Sequence, residues 1–147
     1  MSATMTDTAP TEQRSPRVVV VATARPTFVV DEARSRAAAA RALLTELGAE
    51  VMGPDDLVMT PDDVQNARSF FAADFDLVIN VCASFSDATP AIELYSDLDR
   101  PLVTWSFREP GAVGDRLWLN SLCGSNLYGH ALARAGRDVR LVYGDPG

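Results

Sequence analysis

Residues 75–82 read Phe-Asp-Leu-Val-Ile-Asn-Val-Cys, and Leu77, Val78, Ile79 and Val81 make an almost unbroken apolar run. Continuous rather than alternating apolar residues mark a strand covered on both faces, as in the interior of a parallel sheet. A second such run, the β-branched stretch Val18 to Ala22, precedes it. Between the two, Ala33, Ala37, Ala40, Leu44 and Leu47 recur at helical spacing, which predicts a helix over residues 31–47 that Gly48 stops. A short strand over residues 50–52 follows and ends at Gly53-Pro54.

The rest of the chain continues the alternation. Thr60 is placed to cap a second helix, with Pro61 at its first position, Asp62 and Asp63 in its first turn and Val64, Ala67 and Phe71 facing inward. Residues 90–98 predict a short helix, 101–105 a fourth strand and 139–143 a fifth. Residues 119–135 predict a helix closed by Gly136; its internal Gly124 and Gly129, each costing about 1 kcal/mol against alanine, imply close packing against the sheet. Five strands joined by right-handed crossovers predict an α/β three-layer sandwich, flavodoxin-like or Rossmann-like, with a five-stranded parallel sheet in the order 2-1-3-4-5. Residues 1–16, rich in Thr, Ser and Pro without hydrophobic period, read as a disordered tail ahead of one domain over residues 17–147.

Composition excludes several kinds of chemistry. The 147 residues carry 20 acidic and 13 basic side chains, a net charge of −7, so phosphate backbones and anionic lipid are poor partners. Every basic residue is arginine, which removes any P-loop or Schiff-base lysine. His130 is the single histidine, and Cys82 and Cys123 lie too far apart for a CxxC pair. No stretch approaches the ~20 apolar residues of a membrane span, and a cytoplasmic location is expected.

In an open parallel sheet, ligands bind beyond the carboxyl ends of the strands. The segments there are Thr23-Ala24-Arg25-Pro26-Thr27, Ala83-Ser84-Phe85-Ser86-Asp87 and Ser106-Phe107-Arg108-Glu109-Pro110. Guanidinium forks, hydroxyls, carboxylates and aromatic rings along one edge suit a polyhydroxylated ligand: the forks bond to sugar hydroxyls and the rings take the C–H faces. The candidate substrate-binding residues are therefore Arg25, Phe85, Asp87, Phe107 and Arg108, with Arg25 foremost because Pro26 pins it after the first strand.

Each candidate has a plainer role to compete with. An arginine can pair with a surface carboxylate, a phenylalanine can pack in the core, and Asp87 or Glu109 can cap a helix rather than act as acid or base. Trp105 could be core with its N–H aimed at the cleft. Gly124 to Gly129 has the glycine spacing of a phosphate loop, but no lysine follows and the glycines fall inside a helix. Thr23 and Thr27 offer only weak likeness to a flavin phosphate loop, and His130 has no Ser–Asp partnership that would make it a base.

Taken together, Arg25-Pro26, Phe85-Ser86-Asp87-Ala88, Trp105 to Val113, Asn120-Ser121-Leu122-Cys123-Gly124 and Val142-Tyr143-Gly144-Asp145 resemble the N-terminal domain of the L-fucose/L-arabinose isomerase superfamily over residues 17–145. The resemblance implies an aldose–ketose isomerase architecture, with a divalent ion, usually Mn2+, held by glutamate, aspartate and histidine in later domains that this sequence does not contain. It implies no catalytic residue, metal ligand or cofactor in this chain, and a contribution to a neighbouring subunit's active site in which Arg25 holds substrate and Phe85 supplies the aromatic. Trp105 matches a tryptophan of the fourth strand. The expected partners are a small sugar and either further copies of the chain or a chain carrying the catalytic domain. Two other readings stand beside this one: a stand-alone, non-catalytic sugar-binding or regulatory module, and an unrelated flavodoxin-like domain for a nucleotide or flavin.

Overall fold

The structure, a computed structural model, describes residues 14–147. Its first strand, β1 (Arg17–Thr23), pairs in parallel with β2 (Glu50–Met52) on one side and with the central strand β3 (Leu77–Cys82) on the other. Next come β4 (Leu102–Ser106) and, at the far edge, β7 (Arg140–Tyr143), giving the all-parallel order β2-β1-β3-β4-β7. This is the expected order 2-1-3-4-5, its fifth strand numbered seven because a small antiparallel hairpin intervenes. That hairpin, β5 (Ala112–Val113) and β6 (Arg116–Leu117), turns through Gly114 at φ +61° and was not expected from the sequence.

Strand alternation divides the core into two layers. Val18, Val20, Ile79 and Val81 face α1 (Val30–Glu46), whose Ala33, Ala37 and Ala40 form a flat, small-residue stripe against them. Val19, Val21, Val78 and Cys82 face α2 (Pro61–Ser69), α3 (Thr89–Tyr95) and α4 (Ser121–Arg134), which contribute Val64 and Ala67, Leu94 and Tyr95, and Tyr128 and Leu132. One helix thus covers one face and three cover the other.

Local signals explain the element ends. Thr60 accepts from the Asp63 N–H at 3.1 Å while the Asp63 carboxylate accepts from the Thr60 N–H at 3.0 Å, a reciprocal cap that starts α2 beside Pro61. Gly53 sits at φ +124° with its Cα against Val20; an added Cβ would lie 2.1 Å from the Val20 carbonyl oxygen, so only glycine lets the chain leave β2 here. After that turn, Val58 rejoins the edge by donating to Ala22 O at 2.7 Å.

Three expectations need amending. Leu47, placed by periodicity on the inward stripe, caps the C-terminus of α1 and is 74% exposed, because the sheet beneath that end of the helix is left open. Phe71 is only half-buried, in a single 3-10 turn over Phe70–Ala72 that follows α2. Of the expected tail, residues 1–13 lie outside the described residues; its last part is placed beside the sheet, Pro16 O accepting from the Glu50 N–H at 2.8 Å. Among the described residues no helix is long and apolar enough to cross a membrane.

Candidate functional site

The carboxyl ends of β1 and β3 are tied together before any ligand arrives. The Arg25 N–H donates to Ser84 Oγ at 3.0 Å, and the Ala83 N–H donates to Thr23 O at 2.9 Å. The Phe85 N–H donates to Leu119 O at 2.7 Å, which fixes the β3 loop against the start of α4. Gly124 makes that approach possible: a Cβ there would lie 3.2 Å from Phe85 Cα. The close packing expected of this helical glycine is therefore against the β3 loop, and that of Gly129 is against Leu141 of β7.

On this base stand four side chains. Arg25 is exposed, and its guanidinium makes no hydrogen bond or ion pair among the described residues. Phe85, half-buried, packs at 6.0 Å between ring centroids on Phe28 of the β1 loop, inclined at 57°. Asp87 is exposed and accepts from the Thr89 N–H at 2.9 Å. That bond, with further help from the Thr89 hydroxyl and the positive charge of Arg25, holds its carboxyl below the usual carboxylate range, so it is ionised at neutral pH. A cleft of about 210 Å3 opens beside it, lined among others by Thr60, Pro61, Thr89 and Glu93.

The loop after β4 has a different fate. Phe107 is 1% exposed and packs edge-on against Trp105 at 5.5 Å, so its ring belongs to the core beneath the rim. The backbone N–H and Nε of Arg108 both donate to Asp145, each at 3.1 Å, and Asp145 also meets Arg36 of α1 at 3.4 Å. Partial burial would raise the Asp145 carboxyl, but the Arg108 bonds and the two positive charges outweigh it and hold it low. Glu109 accepts from three successive N–H groups, of Trp118, Leu119 and Asn120, at 2.8, 2.9 and 2.8 Å. It is an anchor for the entry to α4, not an acid or base facing solvent. The Trp105 indole N–H donates to Gly144 O at 2.7 Å and so does not reach the cleft.

Two contributions were missed in the sequence. Arg116, on the hairpin, donates to Thr27 O at 2.8 Å and clamps the β1 loop; two-residue strands are too short to announce themselves by periodicity. Beneath the rim lies a buried polar layer. Tyr95 donates to Asn80 Oδ1 at 2.6 Å, Asn80 donates to Thr23 Oγ1 at 3.0 Å, Ser86 bonds to Tyr128, and Thr104 meets Ser125 at 2.9 Å. The one polar residue inside the run 77–82, Asn80, was its only signal. Burial pushes the Cys82 thiol up to about 12 and both tyrosines well above their usual value. The layer is therefore neutral scaffolding that stiffens the rim, and none of its groups is available as a nucleophile or base near neutral pH.

Metal binding makes a different demand, that several donors converge on one point. Among the described residues no three histidine, cysteine, aspartate or glutamate side chains do so, and His130 is exposed on α4. These residues do not fit a Mn2+ site.

No family model matches the chain. It is similar to proteins named sulfoquinovose isomerase: 32% identical over 96 residues to that of Alkalicoccus urumqiensis (63% of this chain, 21% of the relative). It is 30% identical over 97 residues to that of Priestia megaterium (65% and 22%), and 28% over 122 residues to that of a Clostridium species (82% and 27%). The chain spans about a fifth to a quarter of the length of these relatives. At this level it is a domain similar to part of a sugar isomerase.

Proposed function

We propose that this chain is the substrate-contributing, oligomerising N-terminal domain of an aldose–ketose isomerase-like protein, and that the metal is held by residues outside this domain, on the same or a partner polypeptide. The observation that carries the reading is the state of Arg25: a permanently charged fork of five donors, backed by its own main chain, presented at the strand ends with no partner among the described residues. Beside it, the Phe28–Phe85 pair offers ring faces to the C–H side of a sugar and ionised Asp87 offers acceptors to its hydroxyls.

The rim is shallow. The 210 Å3 cleft at its Asp87 end, which Arg25 and Phe85 do not line, is below the roughly 300–1,000 Å3 of sites that enclose a small molecule, so a second surface has to complete the site. A neighbouring subunit or the catalytic part supplies that surface in this reading. Arg25 favours a sugar bearing an anionic group, of the kind named in the relatives, because a guanidinium bonds such a group with two parallel, charge-assisted N–H donors.

The test is Arg25→Ala in the assembled enzyme. Losing a charge-assisted contact of about 1.5–3 kcal/mol lowers kcat/KM by roughly 10- to 100-fold while circular dichroism stays unchanged. Unaltered kinetics would remove Arg25 from the site, and turnover of sugar by the isolated chain would overturn the division of labour.

A further inference from the structure

The glycine-spaced stretch Gly124 to Gly129, which holds no phosphate, lies within α4 and has another task. Gly124 and Tyr128 stand one turn apart, so both face the loop that follows β3. A Cβ on Gly124 would lie 3.2 Å from Phe85 Cα and 3.7 Å from Ser86 N; the glycine lets the loop rest directly on the helix. Tyr128, fully buried, reaches the same loop through its hydroxyl, which bonds to Ser86 Oγ. Ser125, between them, bonds instead to Thr104 of β4.

The hydrogen bonds of the loop show what that contact carries. As far as Phe85 the main chain is held by other strands and loops: the Ala83 and Ser84 N–H groups donate to Thr23 O at 2.9 and 3.3 Å, and the Phe85 N–H donates to Leu119 O. Beyond it, residues 86–88 bond to one another and to α3. Ser86 Oγ donates to Asp87 O at 3.3 Å, Asp87 accepts from the Thr89 N–H, and Ala88 O accepts from the Ile92 N–H at 3.1 Å. Among the described residues, the Ser86–Tyr128 bond is the one hydrogen bond that fastens residues 86–88 to any element besides α3. Burial pushes the Tyr128 hydroxyl up, so it stays protonated at neutral pH and, with Ser86 donating onward to Asp87 O, is the donor in that bond. Arg25 has a separate support, its N–H on Ser84 Oγ.

We propose that Tyr128 is a positioning residue of the strand-end rim: its hydroxyl, with Gly124 one turn earlier, seats residues 85–87 so that Phe85 and Asp87 are held in place beside Arg25. The substrate side of this inference rests on the isomerase reading; the seat itself rests on the hydrogen bonds alone. Without the hydroxyl the ring still fills its place in the core, and what is lost is the anchorage of residues 86–88. Substrate then has to order Phe85 and Asp87 as it binds, an entropic cost that falls on affinity rather than on the chemical step.

The experiment has two arms. In the 15N-labelled 147-residue chain, NMR relaxation gives the amide order parameters of Ser86, Asp87 and Ala88. Tyr128→Phe, and Ser86→Ala from the loop side, are expected to lower them from about 0.85 to below about 0.6. Thr104→Val breaks another buried hydroxyl pair of α4, that with Ser125, and leaves them unchanged. In the assembled enzyme, Tyr128→Phe raises KM about tenfold with kcat within about twofold, and adds nothing further once Phe85→Ala and Asp87→Ala are both present, while Thr104→Val leaves KM as it was. Order parameters that stay near 0.85 in both Tyr128→Phe and Ser86→Ala overturn the proposal. So does an equal fall in Thr104→Val, which would mean a general loosening of the core. If they fall, and Arg25→Ala lowers kcat/KM while Tyr128→Phe leaves KM unmoved, the positioning role is refuted and the sugar reading stands. If they fall and Arg25→Ala leaves turnover unaltered, the sugar reading is refuted and the seat stands.

Discussion

The loops after β1 and β4 each present an arginine just beyond a buried strand, close to a phenylalanine and a carboxylate, yet they do opposite things. After β4, Phe107 is in the core, Arg108 is bonded to Asp145 and Glu109 holds three backbone N–H groups. After β1 and β3, Arg25 has no partner among the described residues, Phe28 and Phe85 pack on each other at the surface, and Asp87 keeps solvent-facing oxygen. Residue type and position relative to the strand are shared; what differs is whether the fold brings a complementary group within reach. The β4 loop faces the chain leaving β7 and the entry to α4, both rich in such groups, whereas the β1 loop faces water.

If that contrast is right, substitutions separate the two loops by size of effect. Phe107→Ala is expected to cost about 3–5 kcal/mol in urea unfolding, the loss for a buried aromatic, while Phe85→Ala costs far less. Glu109→Ala should cost about 2–3 kcal/mol by the same measurement, because three N–H groups lose a charged acceptor; a cost near zero would place the anchoring of α4 elsewhere. Asp87→Ala removes the bond to the Thr89 N–H and should cost about 1 kcal/mol at neutral pH. A carboxyl held below its usual range contributes its stability above that range and loses it as pH falls through the lowered value. The deficit of Asp87→Ala therefore shrinks in acid, and a deficit constant from pH 7 to pH 2 contradicts the assignment.

The last two substitutions sharpen the comparison at its quiet end. Arg108→Ala breaks an ion pair whose arginine side chain is 73% exposed, and about 0.5 kcal/mol is expected. Arg25→Ala is expected to change unfolding by less than about 0.5 kcal/mol, since it breaks no contact among the described residues, and to act only on ligand binding. A loss of several kcal/mol at Arg25 would mean that the two arginines are alike after all.

Most of the scaffold was legible in the residues. The runs at 18–22 and 77–82, the Thr60-Pro61-Asp62-Asp63 start of α2 and the helical glycines all signal through local chemistry, and the sheet order follows from crossover handedness. The hairpin over Ala112–Leu117 was not legible, because strands of two residues carry no period. Leu47 continues the spacing of α1 past the sheet's coverage, which no pattern within the helix can reveal. At the rim, Arg25 and Asp87 were singled out by their place after a strand and are exposed there, but the division between Phe85 at the surface and Phe107 in the core depends on where α4 and β7 come to rest. Those are tertiary facts, as are the partners of Arg108 and Glu109.

Cys82 is sealed in the core with its thiol pushed up to about 12, while Cys123, the other cysteine of the chain, is exposed in the first turn of α4 next to the glycine that abuts Phe85. The unaltered protein thus comes with one addressable thiol at the margin of the strand-end rim that carries Phe85. A maleimide dye or nitroxide placed there would register a ligand or a docking subunit directly, without any engineered attachment point.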